Sequence, residues 1–513
     1  MILSKGYGSA VFGVDAIIID IEVNIVDGTK FFMSGLPDNA VKESVHRIES
    51  VFKYLNFRFP RKKVLVNMAP ADIRKEGASY DLPLALGLLK SSGQIDAKHL
   101  EDYVIMGELA LDGNLRPIKG ALPIAIEARK KGFKGFILPK QNATEAAIVN
   151  DLDIIGVETL RDATDFLDGQ KEIEPLAYDT RDHFFEQLNA YDADFANVQG
   201  QENIKRALEI AAAGGHNVIM IGPPGAGKTM LAKRLPSILP PLSLHEALET
   251  TKIHSVVGKL GSDARLITRR PFRNPHHTIS DVALVGGGGI PQPGEISLAH
   301  NGVLFLDELP EFKRTALEVM RQPLEERMVS ISRAKVSVEF PANFMLIASM
   351  NPCPCGFYNH PDKECVCGSN QVQRYLNKVS GPLLDRIDLH VEVTPVSFEQ
   401  MTQNRKTESS STIRERVIKA RDIQHERLKA HHIFSNAMMG SQLVKEVCQI
   451  NDAGKTLLKT AMERLGLSAR AYDRILKVSR TIADLDGKKE IEIQHLAEAI
   501  QYRSLDRESW AAG

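Results

Sequence analysis

Residues 222–229 read Gly-Pro-Pro-Gly-Ala-Gly-Lys-Thr, between the apolar run 217–221 and the helix-like stretch 230–235. Backbone N–H groups must point inward around a phosphate, and glycine permits the conformations and the close approach that this needs. The lysine is expected to neutralise phosphate oxygens, and the threonine hydroxyl to bind Mg²⁺. The alternative, a plain glycine-rich turn, does not explain the strand and helix on either side. The stretch predicts an ATP-binding loop made of Gly222, Pro223, Pro224, Gly225, Ala226, Gly227, Lys228 and Thr229.

A second motif, Val-Leu-Phe-Leu-Asp-Glu at 303–308, ends an apolar strand with two carboxylates. Open α/β sheets bind ligands at the carboxyl ends of their strands, so Asp307 is expected to hold Mg²⁺ through water. Glu308 is suited to orient or deprotonate the attacking water. An acidic pair that only caps a strand is the alternative interpretation. The two motifs together predict ATP hydrolysis with ATP and Mg²⁺ as cofactors.

Length and composition set the outer limits of the prediction. A chain of 513 residues is expected to form roughly two to four domains, and 43% hydrophobic with 25% charged residues is ordinary for globular protein. The net charge of -1 gives no general attraction to nucleic acid, so such binding needs local basic patches. The start of the chain lacks a signal sequence and no run of about twenty apolar residues occurs, which predicts a cytoplasmic protein with no membrane partner.

The pattern along the chain predicts an α/β fold with several domains. Residues 1–169 alternate strands and helices, and the polar stretch 170–197 reads as a linker. Residues 198–395 alternate short apolar runs with helices such as 315–326, which predicts a core with a mainly parallel sheet. A second linker at 396–412 precedes an all-α region at 413–513.

Further motifs resemble the AAA+ ATPases, specifically their magnesium-chelatase-like branch. Residues 344–352, Phe-Met-Leu-Ile-Ala-Ser-Met-Asn-Pro, are similar to the sensor 1 strand, which implies that Asn351 contacts the γ-phosphate or the attacking water. Residues 381–388 resemble the arginine-finger segment, so Arg386 is implied to reach the ATP of a neighbouring subunit in a homo-hexameric ring. Residues 468–474 resemble sensor 2, with Arg470 as the best match. From the residues alone, without the family resemblance, a solvated helix face is the favoured interpretation of each arginine.

Two inserts are candidates for substrate contact. The first comprises residues 269–278, with Arg273, His276 and His277, and the glycine- and proline-rich stretch that follows at 286–294; it resembles the helix 2 insert of this branch. The second, residues 328–338, alternates apolar and polar residues around Arg333 and Lys335, which predicts a β-hairpin similar to the one that enters the pore of related helicases. Such cations can grip a phosphate backbone and make DNA a candidate partner. An ordinary structural loop and a cation-guarded edge hairpin are the alternatives.

Four cysteines, Cys353, Cys355, Cys365 and Cys367, lie in a short loop directly after Asn351. Four soft ligands suit tetrahedral Zn²⁺, and a site with four protein ligands is structural because it has no open position. The C-x-C spacing is tighter than the usual spacing, so reduced thiols without metal are the alternative, and His360 can replace one sulfur. Cys448 stands alone and is expected in the core.

The first domain resembles the catalytic domain of Lon proteases in residues 75–79, 107–118 and 132–139. Ser79 occupies the position of that family's nucleophile. A Ser-Lys dyad also needs a lysine base, but Leu122 occupies the lysine position and Lys119 is off the motif. We therefore expect a protease fold without proteolysis.

The whole arrangement resembles the YifB/ComM group of magnesium-chelatase-related ATPases. That resemblance implies a DNA helicase that promotes branch migration during recombination and natural transformation. A protein-remodelling or metal-inserting ATPase and an ATP-dependent protease are the alternatives.

Overall fold

The computed structural model describes residues 3–177, 184, 193–260, 265–289, 291–333, 336–358, 360, 363–395 and 407–503. Its strands are β1 (Ser4–Phe12), β2 (Asp15–Val26), β3 (Phe31–Ser34), β4 (Lys63–Ala69), β5 (Tyr103–Ile105), β6 (Glu108–Leu109), β7 (Leu115–Arg116), β8 (Gly135–Pro139), β9 (Asp153–Val157), β10 (Val218–Ile221), β11 (Phe272–Arg273), β12 (Gly286–Gly287), β13 (Gln292–Pro293), β14 (Val303–Leu306), β15 (Met328–Arg333), β16 (Val336–Pro341), β17 (Met345–Met350) and β18 (Leu389–Glu392).

Its helices are α1 (Asn39–Tyr54), α2 (Asp81–Ser91), α3 (Ala121–Lys130), α4 (Lys140–Ala146), α5 (Leu160–Leu167), α6 (Glu202–Gly214), α7 (Lys228–Arg234), α8 (Leu244–Val257), α9 (Asp281–Val285), α10 (Glu295–Leu298), α11 (Arg314–Val319), α12 (Arg321–Glu326), α13 (Ser369–Leu376), α14 (Gly381–Leu384), α15 (Ser410–Leu428), α16 (Ser441–Val447), α17 (Asp452–Leu465), α18 (Ala469–Leu485) and α19 (Ile493–Gln501).

Contacts divide the chain into two compact units, Met1–Gln187 with Leu244–Thr268 and Leu188–Ser243 with Arg269–Gly513. The sequence boundaries assign residues 244–268 to the ATPase core, whereas the contacts group them with the first unit. The reason is visible at α8, where Ser255 donates to the buried carboxylate of Glu145 at 2.5 Å and its carbonyl accepts from Gly120 N–H at 3.1 Å. Burial raises the pKa of Glu145.

The first unit contains a sheet of seven described strands in the order β3-β4-β2-β1-β5-β8-β9. β1, β2 and β4 pair antiparallel, while β5, β8 and β9 pair parallel. Helices α2 and α3 pack on this sheet, and α2 is apolar and buried almost along its length, as a helix between a sheet and a further helix must be.

The second unit is built on a parallel sheet in the order β11-β14-β17-β10-β18. Strands β10, β14 and β17 are short apolar runs with every residue buried, as expected of strands covered on both faces. Numbered by their order in the chain, the strands run 5-1-4-3-2 across the sheet. β10 and β14 are therefore separated by β17, and the loops after all three strands open at the same edge. The α/β fold class with a parallel sheet is confirmed.

The predicted helix 315–326 is two helices, α11 and α12, divided at Met320. Pro323 explains the break, because it has no N–H to donate to the carbonyl one turn earlier. The C-terminal region is helical from α15 to α19, as predicted. It begins at Ser410 rather than at residue 413, because the serine run taken for linker is a helix cap in which Ser409 Oγ accepts from Thr412 N–H at 3.3 Å. Residues 396–406 of that linker lie outside the described residues.

Among the described helices, none is both long and apolar enough to cross a membrane.

Candidate nucleotide and metal sites

The loop 222–227 connects β10 to α7 and has the backbone of a phosphate cradle. Gly225 and Gly227 have φ angles of +80° and +86°, a region that L side chains rarely adopt. A Cβ on Gly222 would lie 2.2 Å from Val393 O, so the loop passes directly against the end of β18. Glycine is therefore required at positions 225 and 227 by the backbone conformation, and at position 222 by the close approach to Val393.

Lys228, the first residue of α7, points back into this loop. Its Nζ donates to Gly222 O at 2.7 Å, to Pro223 O at 2.9 Å and to Asn351 Oδ1 at 3.1 Å. Burial lowers the pKa of Lys228, while the negative charge of Asp307 and of Glu308 acts in the opposite direction. The lysine therefore connects the phosphate loop to the residue that follows β17.

Asp307 follows β14 and faces the start of α7. Thr229 Oγ1 donates to Asp307 Oδ2 at 2.7 Å, and the Ser349 hydroxyl donates to Asp307 Oδ1. A hydroxyl paired with a carboxylate at the end of a parallel sheet, beside a phosphate cradle, is a donor set that fits Mg²⁺ with an ATP phosphate. Ser349 is absent from the sequence prediction, although a small polar residue in the otherwise apolar strand β17 is the signal that would have found it.

Glu308 stands next to Asp307 with its side chain 59% exposed. Its φ of 55° turns the backbone sharply, and its N–H points to Asp307 Oδ1 at 3.2 Å. His277 Nδ1 lies 3.7 Å from Glu308 Oε2, and the His277 ring stacks at 4.1 Å on that of His276. The structure thus places the histidine pair of the first insert beside the carboxylate predicted to act on water.

Arg273, a candidate for DNA contact, is engaged in an ion pair within the fold. As part of β11 it forms a two-pronged ion pair with Glu295, with distances of 2.5 and 2.8 Å, and its side chain is 30% exposed. The guanidinium therefore joins β11 to α10 within the fold.

The second insert is the predicted hairpin. β15 and β16 pair antiparallel from Met328 with Pro341 to Arg333 with Val336. Lys335 lies outside the described residues. A Cβ on Gly286 would lie 2.9 Å from Ile331 Cδ1, so the β12–β13 hairpin of the first insert packs directly on the second hairpin.

The two arginines predicted as the finger and as sensor 2 lie in different environments. Arg386 is 5% exposed, and its guanidinium binds Glu325 at 2.6 Å and Pro382 O at 2.6 Å. Arg470, the second residue of α18, is exposed. One turn later, Arg474 binds the buried carboxylate of Asp388, which joins the helical region to β18 and was missed from the sequence.

The four cysteines come together in space. Their Sγ atoms all lie within 4.8 Å of one another, and three of the separations are 3.3, 3.5 and 3.6 Å. Burial opposes ionisation of Cys355, but the N–H of Phe357 and the neighbouring thiols stabilise the thiolate and lower its pKa to about 6. Cys448 is buried apart from this cluster, in the helical region.

In the first unit, Ser79 stands at the predicted nucleophile position, but the position of the lysine base is occupied by Leu122. Ser79 lies in a short turn before α2, where its carbonyl accepts from Gly107 N–H. Leu122 is fully buried, and its backbone N–H donates to Glu145 at 3.0 Å. Lys119 is exposed.

Comparison with known families and proteins agrees with this architecture. The family described as "Magnesium chelatase, subunit ChlI" matches residues 194–401, "Subunit ChlI of Mg-chelatase" matches 21–142, and "Magnesium chelatase, subunit ChlI C-terminal" matches 407–503. Competence protein ComM of Haemophilus influenzae is 46% identical over 511 residues, 99% of this chain and 98% of that protein.

Two further relatives bear on the assignment. YifB of Escherichia coli is 44% identical over 511 residues, again 99% of this chain and 98% of that protein. Lon protease 2 of Bacillus subtilis is 32% identical over 189 residues, 31% of this chain and 33% of that protein. The homology supports an AAA+ ATPase with ATP and Mg²⁺ as its cofactors. The chain belongs to the YifB/ComM group of the magnesium-chelatase-related AAA+ family.

Proposed function

We propose that this protein is a hexameric DNA motor in which ATP hydrolysis drives a helicase that promotes branch migration during recombination and natural transformation. The observation that carries the proposal is the packing of the β12–β13 hairpin on the β15–β16 hairpin, next to the nucleotide site. One insert reaches Glu308 through His277. The sequence of the other contains Arg333, the last residue of β15, and Lys335. The two hairpins form a mechanical path from the γ-phosphate position to the candidate DNA contacts.

The residues of one chain supply most of the hydrolytic chemistry. Lys228 places a positive charge at the mouth of the phosphate loop, and Asn351 lies 3.1 Å from it, suited to orient the attacking water. Glu308 has an exposed carboxylate suited to accept the proton of that water. When bound between Thr229 and Asp307, Mg²⁺ neutralises charge on the phosphate oxygens.

The remaining contribution comes from a neighbouring subunit in the proposed ring. Arg386 forms an ion pair with Glu325, whose side chain is 50% exposed. The phosphates of ATP bound to a neighbouring subunit would therefore compete with a single surface carboxylate for the Arg386 guanidinium. Breaking this pair lets the guanidinium bind phosphate bidentately, which a lysine cannot do. Arg470 is exposed at the start of α18 and is proposed to contact the nucleotide from the helical region.

The cysteine cluster is proposed to hold one structural Zn²⁺. Four sulfurs bound at about 2.3 Å to one tetrahedral ion lie about 3.8 Å apart, close to the three separations given above. A disulfide would require sulfurs at about 2.05 Å.

The name of the Haemophilus influenzae relative, competence protein, agrees with DNA uptake as the setting of the proposed activity. The chelatase family matches favour a second candidate, a metal-inserting or protein-remodelling ATPase. The two functions differ in what stimulates ATP turnover.

The decisive assay measures ATP hydrolysis with single-stranded, duplex and four-way-junction DNA. We expect DNA to stimulate turnover, and Arg333→Ala with Lys335→Ala to abolish the stimulation while leaving the basal rate intact. The matched control replaces two exposed lysines, Lys130 at the end of α3 and Lys131 directly after it, by alanine, and should respond to DNA as the wild type does. Stimulation by a porphyrin or a protein with none by DNA would support the second candidate instead.

A further inference from the structure

The loop that holds the four cysteines lacks the usual means of keeping a fixed shape. Residues 351–368 contain no helix or strand among those the structure describes, and Val366 is 85% exposed. At the start of the loop Pro352, Cys353 and Gly356 are buried, while Cys355 and Phe357 are partly exposed. Long loops without secondary structure are uncommon in compact domains, and an ordered one needs a further constraint. The convergence of four thiols supplies such a constraint here.

This loop begins at the catalytic end of the core sheet. Asn351 follows β17 directly, accepts a hydrogen bond from Lys228, and is separated from the fully buried Cys353 by one residue. Tyr375, which lies in α13 after the last cysteine, lines the same pocket as Asn351 and Glu308. Both ends of the cysteine loop therefore lie close to the residue predicted to orient the water.

The loop also contacts the phosphate cradle from outside. Gly356 has a φ of +84°, and a Cβ on it would lie 2.5 Å from Pro224 Cδ. Pro224 is the third residue of the phosphate loop, so Gly356 packs against the cradle with no space to spare. Pro354 lines a pocket of about 440 Å³ together with Glu308 and Asn351, so the start of the cysteine loop forms part of the wall beside the reacting groups.

We propose that the four-cysteine zinc site is a brace for the nucleotide site: the ion fixes the loop that presses Gly356 on Pro224 and holds Asn351 against Lys228. This proposal rests on the zinc assignment and the ATPase activity above, and it adds that ATP binding and turnover depend on the metal. An empty or oxidised cluster releases the loop, and the cradle and Asn351 lose their support together. The zinc takes no part in the reaction, since four thiolates leave it no open position.

The test compares three variants of the full-length protein without DNA. Cys365→Ser with Cys367→Ser removes the two ligands farther along the chain from Asn351. Gly356→Ala keeps all four thiols but places a methyl group against Pro224. Cys448→Ala, outside the cluster, is the control. Each is measured for zinc per chain by mass spectrometry, for affinity to a fluorescent ATP analogue, and for basal ATP turnover.

We expect about one zinc per wild-type chain and none in the double serine variant. Misplacement of a catalytic group by about 1 Å can cost roughly 100-fold in rate, and we expect a loss of that order in both the zinc-free and the Gly356→Ala proteins. Both should also bind the ATP analogue more weakly, whereas Cys448→Ala should match the wild type. If Gly356→Ala retains zinc but loses turnover, the loss comes from the disturbed contact with Pro224 and not from loss of the metal.

A zinc-free chain that binds and hydrolyses ATP as the wild type does would overturn the brace, as would wild-type behaviour of Gly356→Ala. Iron in place of zinc, or active wild-type protein without metal, would overturn the zinc assignment. If the double serine variant does not fold, Gly356→Ala still decides the matter. Because no DNA is present, failure of the DNA-motor proposal would leave these results unchanged.

Discussion

Replacing Gly222 by alanine tests whether the phosphate loop depends on the close approach to β18. The added Cβ would lie 2.2 Å from Val393 O, whereas real Cβ contacts are essentially never below 3.0 Å. Val393 O is backbone, and its own residue donates an N–H to Ile221 O at 2.7 Å, so the strand cannot yield without breaking the sheet. The loop must therefore retreat by about 1 Å, and a displacement of this size can cost roughly 100-fold in rate, or about 2.7 kcal/mol of barrier.

The assay is steady-state ATP turnover with saturating Mg²⁺, together with the affinity for a fluorescent ATP analogue. Gly440→Ser is the matched control, because Gly440 has open space around it and precedes α16, where serine is a preferred cap. We expect Gly222→Ala to lose about two orders of magnitude in turnover and the control to lose nothing. Wild-type turnover in Gly222→Ala would refute the steric reasoning.

Three further predictions concern single carboxylates and the serine of the first unit. Glu308→Gln should bind ATP with unchanged affinity but lose about 10²-fold or more in turnover, because the amide cannot accept the proton of water; equal hydrolysis would contradict its role. Burial opposes ionisation of Asp388, but Arg474 and His216 together outweigh it and hold its pKa well below the usual range. The contribution of the Asp388 carboxylate to stability is therefore present above about pH 4 and lost as the pH falls. Asp388→Asn should accordingly destabilise the second unit by about 3 kcal/mol at pH 7. The difference in melting temperature between the wild type and this variant should become smaller below about pH 4, and a difference independent of pH would disprove the reasoning. Casein should remain intact with the wild type, and cleavage that Ser79→Ala abolishes would establish a peptidase.

The fold and the central site were predictable where the signals are local. The phosphate loop, the strand before Asp307 and the strand before Asn351 are each short motifs whose apolar run, turn residues and polar terminus are contiguous in the chain. A parallel sheet then brings their carboxyl ends to one edge, so proximity follows from the fold class. Ser349 lies in β17, the strand that Asn351 follows, and could have been predicted by the same argument.

The remaining contacts depend on partners that are distant in sequence. From the sequence, Arg273 is a candidate for phosphate contact, whereas the structure pairs it with Glu295 in α10. Arg386 is turned to Glu325, and nothing in the finger-like segment itself indicates that pairing. Residues 244–268 join the first unit through contacts distant in sequence, among them the bond from Ser255 to the buried carboxylate of Glu145 in α4. Ion pairs between distant elements carry no periodicity or spacing, so a single sequence does not reveal them.

The most direct test of the account follows a fluorescently labelled four-way junction during ATP hydrolysis. The wild type should convert the junction into duplex products only when ATP and Mg²⁺ are present. Glu308→Gln should bind the junction and ATP but leave it unconverted, because binding without turnover supplies no movement. Absence of ATP-dependent conversion by the wild type, or equal conversion by Glu308→Gln, would contradict the claim that ATP hydrolysis drives this protein along DNA.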